Sequence, residues 1–403
     1  MRQELTSGKK VLLGFQHLFA MFGATVLVPA LTGFNPSIAL ICAGLGTLMF
    51  HLVSKHKVPV FLGSSFAFIA AVAIVVAEKG VPYAQGGIIA AGIIYLLLAA
   101  AVYFVGVERV RSFFPPVVTG PVIVVIGVTL APVGISMSSQ NWWIALIVLM
   151  TVIIVSIFAK NFFKLVPILI GLVAGYIASL IFDALAHTGE PLVNLSLISD
   201  ASWFISPSAF TMPAFDLHAI LMIAPIAFVT FMEHIGDITT NGSVVGKDFF
   251  KDPGLHRTLI GDGLATSLAG LIGGPANTTY SENTGVLAVT KVYDTGVIKL
   301  AACFAIAMGL MGKMGAILLG IPDAVKGGMS IILFGMIAAV GIRTLADAKL
   351  DFTRSRNLII IALILVFGLG LASGITIGNF TISGLFVAVL VGVFANKILP
   401  QNV

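Results

Sequence analysis

The stretch FMEHIGD holds residues with a clear capacity for chemistry. Glu233 and Asp237 stand four apart, on one face of any helix that includes them, with His234 about 100° from Glu233 around that helix. Further along, NTTYSENTG supplies Glu282, LIGDG supplies Asp262, and the opening apolar run holds Gln16 and His17. A carboxylate in such apolar surroundings costs at least ~2.5–3.5 kcal/mol to insert into a membrane, so each needs a partner, a wet cavity or a proton. No Lys or Arg sits at the same depth as Glu233 or Glu282. A structural ion pair therefore lacks its cation, and the two glutamates read as acceptors for a ligand, carriers of protons, or both. Asp262 reads equally as a buried structural partner or as a relay. His17 fits both a histidine satisfied by a neighbouring carbonyl and a direct role, while His234 reads as a packing residue. Cys42 and Cys303 fall in apolar runs and read as small core residues, not a disulfide or metal pair. No metal, cofactor or enzymatic activity is expected.

The elements that position these groups follow from composition. Of 403 residues, 58% are hydrophobic and 10% charged, against roughly a quarter charged in soluble domains. The chain is an integral membrane protein. Fourteen apolar runs are long enough to cross a bilayer as helices, near 11–32, 37–53, 59–77, 84–106, 116–135, 142–159, 163–184, 217–239, 257–273, 276–294, 296–318, 324–342, 357–373 and 381–398. The polar start runs straight into a span too long for a signal-peptide core, so the first helix is expected to be retained.

The net charge of +5 does not point to nucleic acid, because the basic residues are dispersed over short loops and form no patch. With both termini cytoplasmic, 19 of the 22 Lys and Arg, from Arg2 to Lys397, fall on the inner side, leaving only Lys79, Lys313 and Lys326 outside. That asymmetry is the positive-inside pattern, and it places the chain in the cytoplasmic (inner) membrane with fourteen spans. The outer loop near 185–216 carries Glu190, Asp200 and Asp216 but no cation.

Fourteen spans divide at this loop into seven and seven, and an odd number per half inverts one half relative to the other, a transporter architecture. In each half the third span is irregular: PVFLGSSFAF (59–68) and GGPANTTYSENTG (273–285) mix Gly and Pro with Ser, Thr and Asn. Backbone groups freed at such breaks are intolerable against lipid and must be buried in protein or line a cavity. Matched breaks in two inverted halves point to a midplane binding site. An intramembrane aspartyl protease built on Asp237 and Asp262 leaves the inverted halves unexplained and lacks G-x-G-D. A channel requires a polar stripe through the membrane, whereas the polar residues here cluster at one depth.

Together, QHLFAMFGATVLVPAL, FLGSSFAF, MEHIGD, DPGLHR before the ninth span, NTTYSENTGVLAVTK and GIRTL after the twelfth resemble the nucleobase–cation symporter-2 family, also called nucleobase–ascorbate transporters, and within it the bacterial uracil permeases. The family signature is matched by Glu282, Asn283, Gly285, Thr290 and Lys291, with Glu first as in the uracil-type branch. The resemblance implies an all-α polytopic protein, a 7+7 inverted repeat whose third and tenth spans each combine a short extended segment with a half-helix. It implies a substrate-holding core domain from residues 1–106 and 217–322 and a gate domain from 107–216 and 323–403, the latter making homodimer contacts. It further implies that Glu233 and Glu282 hold the base, that the amides of Phe66 and Ser281 assist, that Phe66 and Tyr280 pack on it, and that His17 and Ser65 help through water. Relatives of this kind carry histidine where Asp237 stands, and glycine is frequent where Ser281 stands, its hydroxyl being expected to tighten the pocket.

The chemistry suits such a ligand. Uracil presents two N–H donors and two carbonyl acceptors in one plane, and a desolvated site meets them with carboxylates and backbone amides. Proton coupling is expected through Glu233, with Asp237 sharing its proton and Asp262 in the relay. Na⁺ coupling, and a purine, xanthine or other pyrimidine as substrate, are the alternatives.

Overall fold

The computed structural model describes residues 6–186, 191–377 and 380–400. Arg2 and Glu190, used above in the charge asymmetry, lie outside the described residues. Fourteen helical spans follow in order: α1 Ser7–Thr32, α2 Pro36–Val53, α3 Ile69–Lys79, α4 Val81–Val105, α5 Pro116–Ser138, α6 Trp142–Phe158, α7 Pro167–Ala186, α8 Leu217–Val245, α9 Leu255–Ile272, α10 Ser281–Thr290, α11 Thr295–Leu310, α12 Asp323–Asp347, α13 Ser355–Gly370 and α14 Gly384–Ile398. Seven of them (α1, α2, α4, α5, α7, α8 and α12) are long and apolar enough to cross a membrane unaided. The third and tenth are the short ones. Each is preceded by a three-residue strand, β1 Leu62–Ser64 and β2 Asn277–Thr279, which completes the span.

The two strands pair antiparallel, Leu62 opposite Thr279, Gly63 opposite Thr278 and Ser64 opposite Asn277. This pairing satisfies backbone groups that the broken helices would leave bare. Packing repeats the same symmetry. If span n in the first half corresponds to span n+7 in the second, then α2 on α11 mirrors α4 on α9, α1 on α11 mirrors α4 on α8, α6 on α7 mirrors α13 on α14, and α6 on α12 mirrors α5 on α13. The pairs α2–α9, α5–α12 and β1–β2 map onto themselves. All of these contacts are present.

Close crossings are made by small residues, as expected where lipid supplies no hydrophobic drive between helices. On α4 a Cβ at Gly92 would lie 2.6 Å from the Gly263 carbonyl of α9, and between α5 and α12 a Cβ at Gly341 would lie 2.6 Å from the Gly120 carbonyl.

Four expectations need correction. Cys303, read as a core residue, is exposed on α11, whereas Cys42 is buried. The eleventh span does not run over 296–318: extended backbone at Met311 ends α11, and a separate helix, Gly312–Leu319, follows, because Gly312 donates its N–H to the Trp203 carbonyl of the outer loop. GIRTL lies within α12, which continues to Asp347. The thirteenth span stops at Gly370, and a hairpin, β3 Ile375–Ile377 with β4 Phe380–Ile382, precedes α14.

Candidate functional site

The local sequence around each break explains where its groups point. In the first half, SSFAF turns from β1 through a 3-10 turn at Phe66–Phe68 into α3, and the Ser65 N–H donates to the Ala276 carbonyl at 2.8 Å. In the second half β2 leads through Tyr280 into α10, whose first residues are Ser281 and Glu282. Two half-helix N-termini therefore approach the paired strands. The first N–H groups of a helix have no intrahelical partner and carry partial positive charge, so both ends present donors.

Tyr280 anchors this arrangement from behind. Its hydroxyl donates to the Ser64 carbonyl at 2.8 Å, its ring lies where a Cβ on Gly63 would fall (2.5 Å to Cζ), and it is buried. Only a glycine permits that approach. The Tyr280 ring thus faces β1 and the interior. Phe66 is half-buried and meets Phe334 of α12 edge-on at 6.2 Å. Ser65 is buried with its hydroxyl unpartnered.

Of the signature residues, Asn283 ties two helices together. Asn283 Nδ2 donates to the His17 carbonyl at 2.9 Å and lies 3.2 Å from His17 Nδ1, joining α10 to α1. Thr290 donates to the Val286 carbonyl at 2.8 Å at the end of α10, and Gly285 is exposed on that helix. His17 itself is buried.

On α8, Glu233 is half-buried, as is Glu282 on α10. The charged groups that bear on Glu233 are Asp237, Glu282 and Asp262, all acidic. Asp237 is buried, and both of its carboxylate oxygens are engaged by α10 and its lead-in strand: Thr279 donates to Oδ2 at 2.8 Å and Ser281 donates to Oδ1. The Ser281 hydroxyl is therefore spent on Asp237.

His234, read from the sequence as a structural residue, and Asn241, which the sequence reading does not single out, both tie α8 to its neighbours. His234 is fully buried, with Nδ1 2.7 Å from Asp262 Oδ2 and Nε2 2.9 Å from Thr258 Oγ1. Since the Thr258 hydroxyl gives its own proton to the Leu255 carbonyl (2.9 Å), it accepts from Nε2–H, and one proton is shared between Nδ1 and Asp262. Thr258 stands four residues before Asp262, a spacing that places both on one face. Asn241, four residues beyond Asp237, donates to the Pro59 carbonyl at 3.0 Å and to Thr284 at 3.1 Å, tying α8 to both breaks.

On the half of the bundle nearer the chain termini, Gly236, Thr239, Thr240 and Ser243 of α8 and Ser281, Gly285 and Ala288 of α10 are exposed. These are small or polar residues of membrane-spanning helices, a composition that suits a water-lined surface better than a lipid-facing one. On the opposite half, Leu27, Val28 and Ile69 pack against Leu130 of α5 and Leu333 and Phe334 of α12 in a closed apolar cluster. A small cavity of about 20 Å³ remains beside Phe66, bordered by Ile126, Thr129 and Leu385.

Residues 8–377 match a family profile described as Permease family. A probable uracil permease of Haemophilus influenzae is 42% identical over 98% of this chain and 95% of its own length. The uracil permease of Bacillus subtilis is 43% identical over 97% and 92%. A putative pyrimidine permease of Escherichia coli, RutG, is 36% identical over 99% and 91%. Among solved structures, murine SLC26A9, an anion transporter in the inward-facing state, superposes with a TM-score of 0.71 at 12% identity, over 99% of this chain and 69% of that one. A second SLC26A9 structure gives 0.69 at 14% identity, and the chain spans only 64% of its length. The transmembrane domain of the cyanobacterial bicarbonate transporter BicA gives 0.61 at 16%, over 96% of both. At such identities the likeness is one of fold, the inverted 7+7 arrangement.

Proposed function

The chain belongs to the nucleobase–ascorbate transporter family of permeases, and from that membership we propose that it imports uracil across the cytoplasmic membrane by proton-coupled alternating access. The names of full-length relatives above 40% identity support the substrate. The observation that carries the reading is that half-buried Glu233 and Glu282 act on each other together with Asp237 and Asp262 and no Lys or Arg, with Glu282 in the first turn of the half-helix α10; in this reading both face a wet cleft. Each glutamate accepts one uracil N–H, and the amides of Phe66 and Ser281 donate to its carbonyls. An unpartnered donor or acceptor in such a site costs about 1–3 kcal/mol, which rejects bases with a different edge. Phe66 covers the ring, Ser65 adds a hydroxyl that lacks another partner, and Tyr280 and His17 brace the breaks that shape the pocket.

Alternating access needs two bodies. In this reading α1–α4 with α8–α11 form the core that carries substrate, and α5–α7 with α12–α14 form the gate, through which two copies associate. The terminal side, rich in Lys and Arg, is cytoplasmic, so the present state is inward-open with an outer seal at Phe334. Coupling is through protons: Glu233, Asp237, Glu282 and Asp262 gather with no Lys or Arg among them, and protons neutralise what cations do not. The similarity to a putative pyrimidine permease favours one second reading, a broader pyrimidine specificity.

A competition panel tests the substrate. Radiolabelled uracil bound to the purified protein is displaced by unlabelled uracil, weakly by other pyrimidines and not by xanthine or adenine. Displacement by xanthine at equal concentration overturns the assignment.

A further inference from the structure

The Asp237 carboxylate is held by two hydroxyls that differ in one respect. Thr279 is buried at the end of β2, whereas Ser281 is exposed in the cleft at the first position of α10, next to Glu282. We infer that Ser281 is a proton-switched hydrogen-bond donor to the substrate, its hydroxyl turned to Asp237 when that carboxylate is ionised and released to a carbonyl of the bound base when Asp237 takes up a proton.

The proton count supports this assignment. An ionised carboxylate only accepts, so both hydroxyl protons point at it. When a proton from the cleft binds at Oδ1, that oxygen becomes a donor and gives its O–H to Ser281 Oγ. The Ser281 proton must then turn away, and the exposed side of this residue is where a ligand carbonyl sits. Oδ2 continues to accept from Thr279, which has no cleft side to turn to. No bond is left unmade in either state provided a base is present to receive the freed proton. Without one, the released donor faces water. Protonation and base binding therefore favour one another by the value of one hydrogen bond. A glycine or alanine at 281 offers no such link.

The groups that face Asp237 are consistent with a proton reaching it. From its own helix come Glu233 and His234, and from α10 comes Glu282. Asp262 on α9 is occupied with His234, and Tyr95 on α4 lies near Asp262 and Glu233. None is a lysine or arginine that would hold Asp237 ionised.

The inference rests on the site proposed above, so its test has an arm that needs no ligand. In detergent, uracil affinity of the wild type should rise about three- to tenfold on acidification through the Asp237 transition, the value of one neutral hydrogen bond. Ser281→Ala should lose that gain and stay at the alkaline affinity, while Asp237→Asn, whose amide also donates to Ser281, should stay near the acid affinity at every pH. Ser281→Ala that keeps the wild-type pH slope, or that weakens binding equally at all pH, overturns the inference. In the ligand-free protein, the protonated carboxyl infrared band that is missing from Asp237→Asn should titrate at higher pH in Ser281→Ala, because a donor to the ionised form is gone. An unchanged titration overturns the switch whether or not uracil is the substrate.

Discussion

At the scale of single residues, the account turns on which carboxylates meet the base and which manage its proton. Among the described residues no Lys or Arg is paired with Glu233 or Glu282 and, in the proposed site, both meet the base, so Glu233→Gln and Glu282→Gln are each expected to weaken uracil binding ~5–150-fold, about 1–3 kcal/mol. Melting temperature in detergent should hold, because neither change leaves an unpaired buried charge; wild-type binding in either variant removes that glutamate from the site. Asp237 is different, since its oxygens accept from the hydroxyls of Thr279 on β2 and Ser281 on α10. Asp237→Asn is expected to change affinity less than about tenfold, to abolish accumulation driven by a pH gradient and to retain counterflow exchange. A variant that still concentrates uracil moves coupling elsewhere, to Glu233 alone, Asp262 or bound Na⁺. The glutamates were legible in the sequence because a charge without a counter-charge in an apolar run has few explanations. The partners of Asp237 were not, since Thr279 and Ser281 lie more than forty residues away across a chain break in helicity. His234, read as a structural histidine, is buried and satisfied by Asp262 and Thr258 of α9; its angle from Glu233 does not by itself identify those partners, which lie on another helix.

Elements are held by close approach and by paired breaks. At the α4–α9 crossing a Cβ on Gly263 would lie 2.8 Å from the Tyr95 Cβ and 2.9 Å from the Gly92 carbonyl. Gly263→Val is therefore expected to destabilise the protein by about 1–3 kcal/mol, read as a lower melting temperature in detergent. Gly236→Ala, with no atom within 4 Å of the new carbon, should not lower it. Equal melting temperatures in the two variants would contradict the packing described. Hydropathy located the fourteen spans but not their interruptions. The pairing of β3 with β4 shows why: an apolar window wide enough to find helices averages over the six β-branched or aromatic residues of ITI and FTI without registering their period. The breaks at β1 and β2 were legible because they contain residues that a membrane helix avoids; the break at Met311, although flanked by Gly309, Gly312 and Lys313, sits within an apolar run and is set by a contact with the outer loop.

The whole molecule is an inverted repeat, and the direct test of its proposed role is transport. The measurement is uptake of radiolabelled uracil into proteoliposomes holding the purified protein, with the outside made more acidic than the lumen. The account predicts saturable accumulation above the external concentration, collapse of that accumulation on adding a protonophore, and none in Glu282→Gln vesicles. Accumulation that ignores the protonophore and follows an imposed Na⁺ gradient instead would contradict proton coupling, and absence of uracil uptake in wild-type vesicles that exchange another base would contradict the substrate.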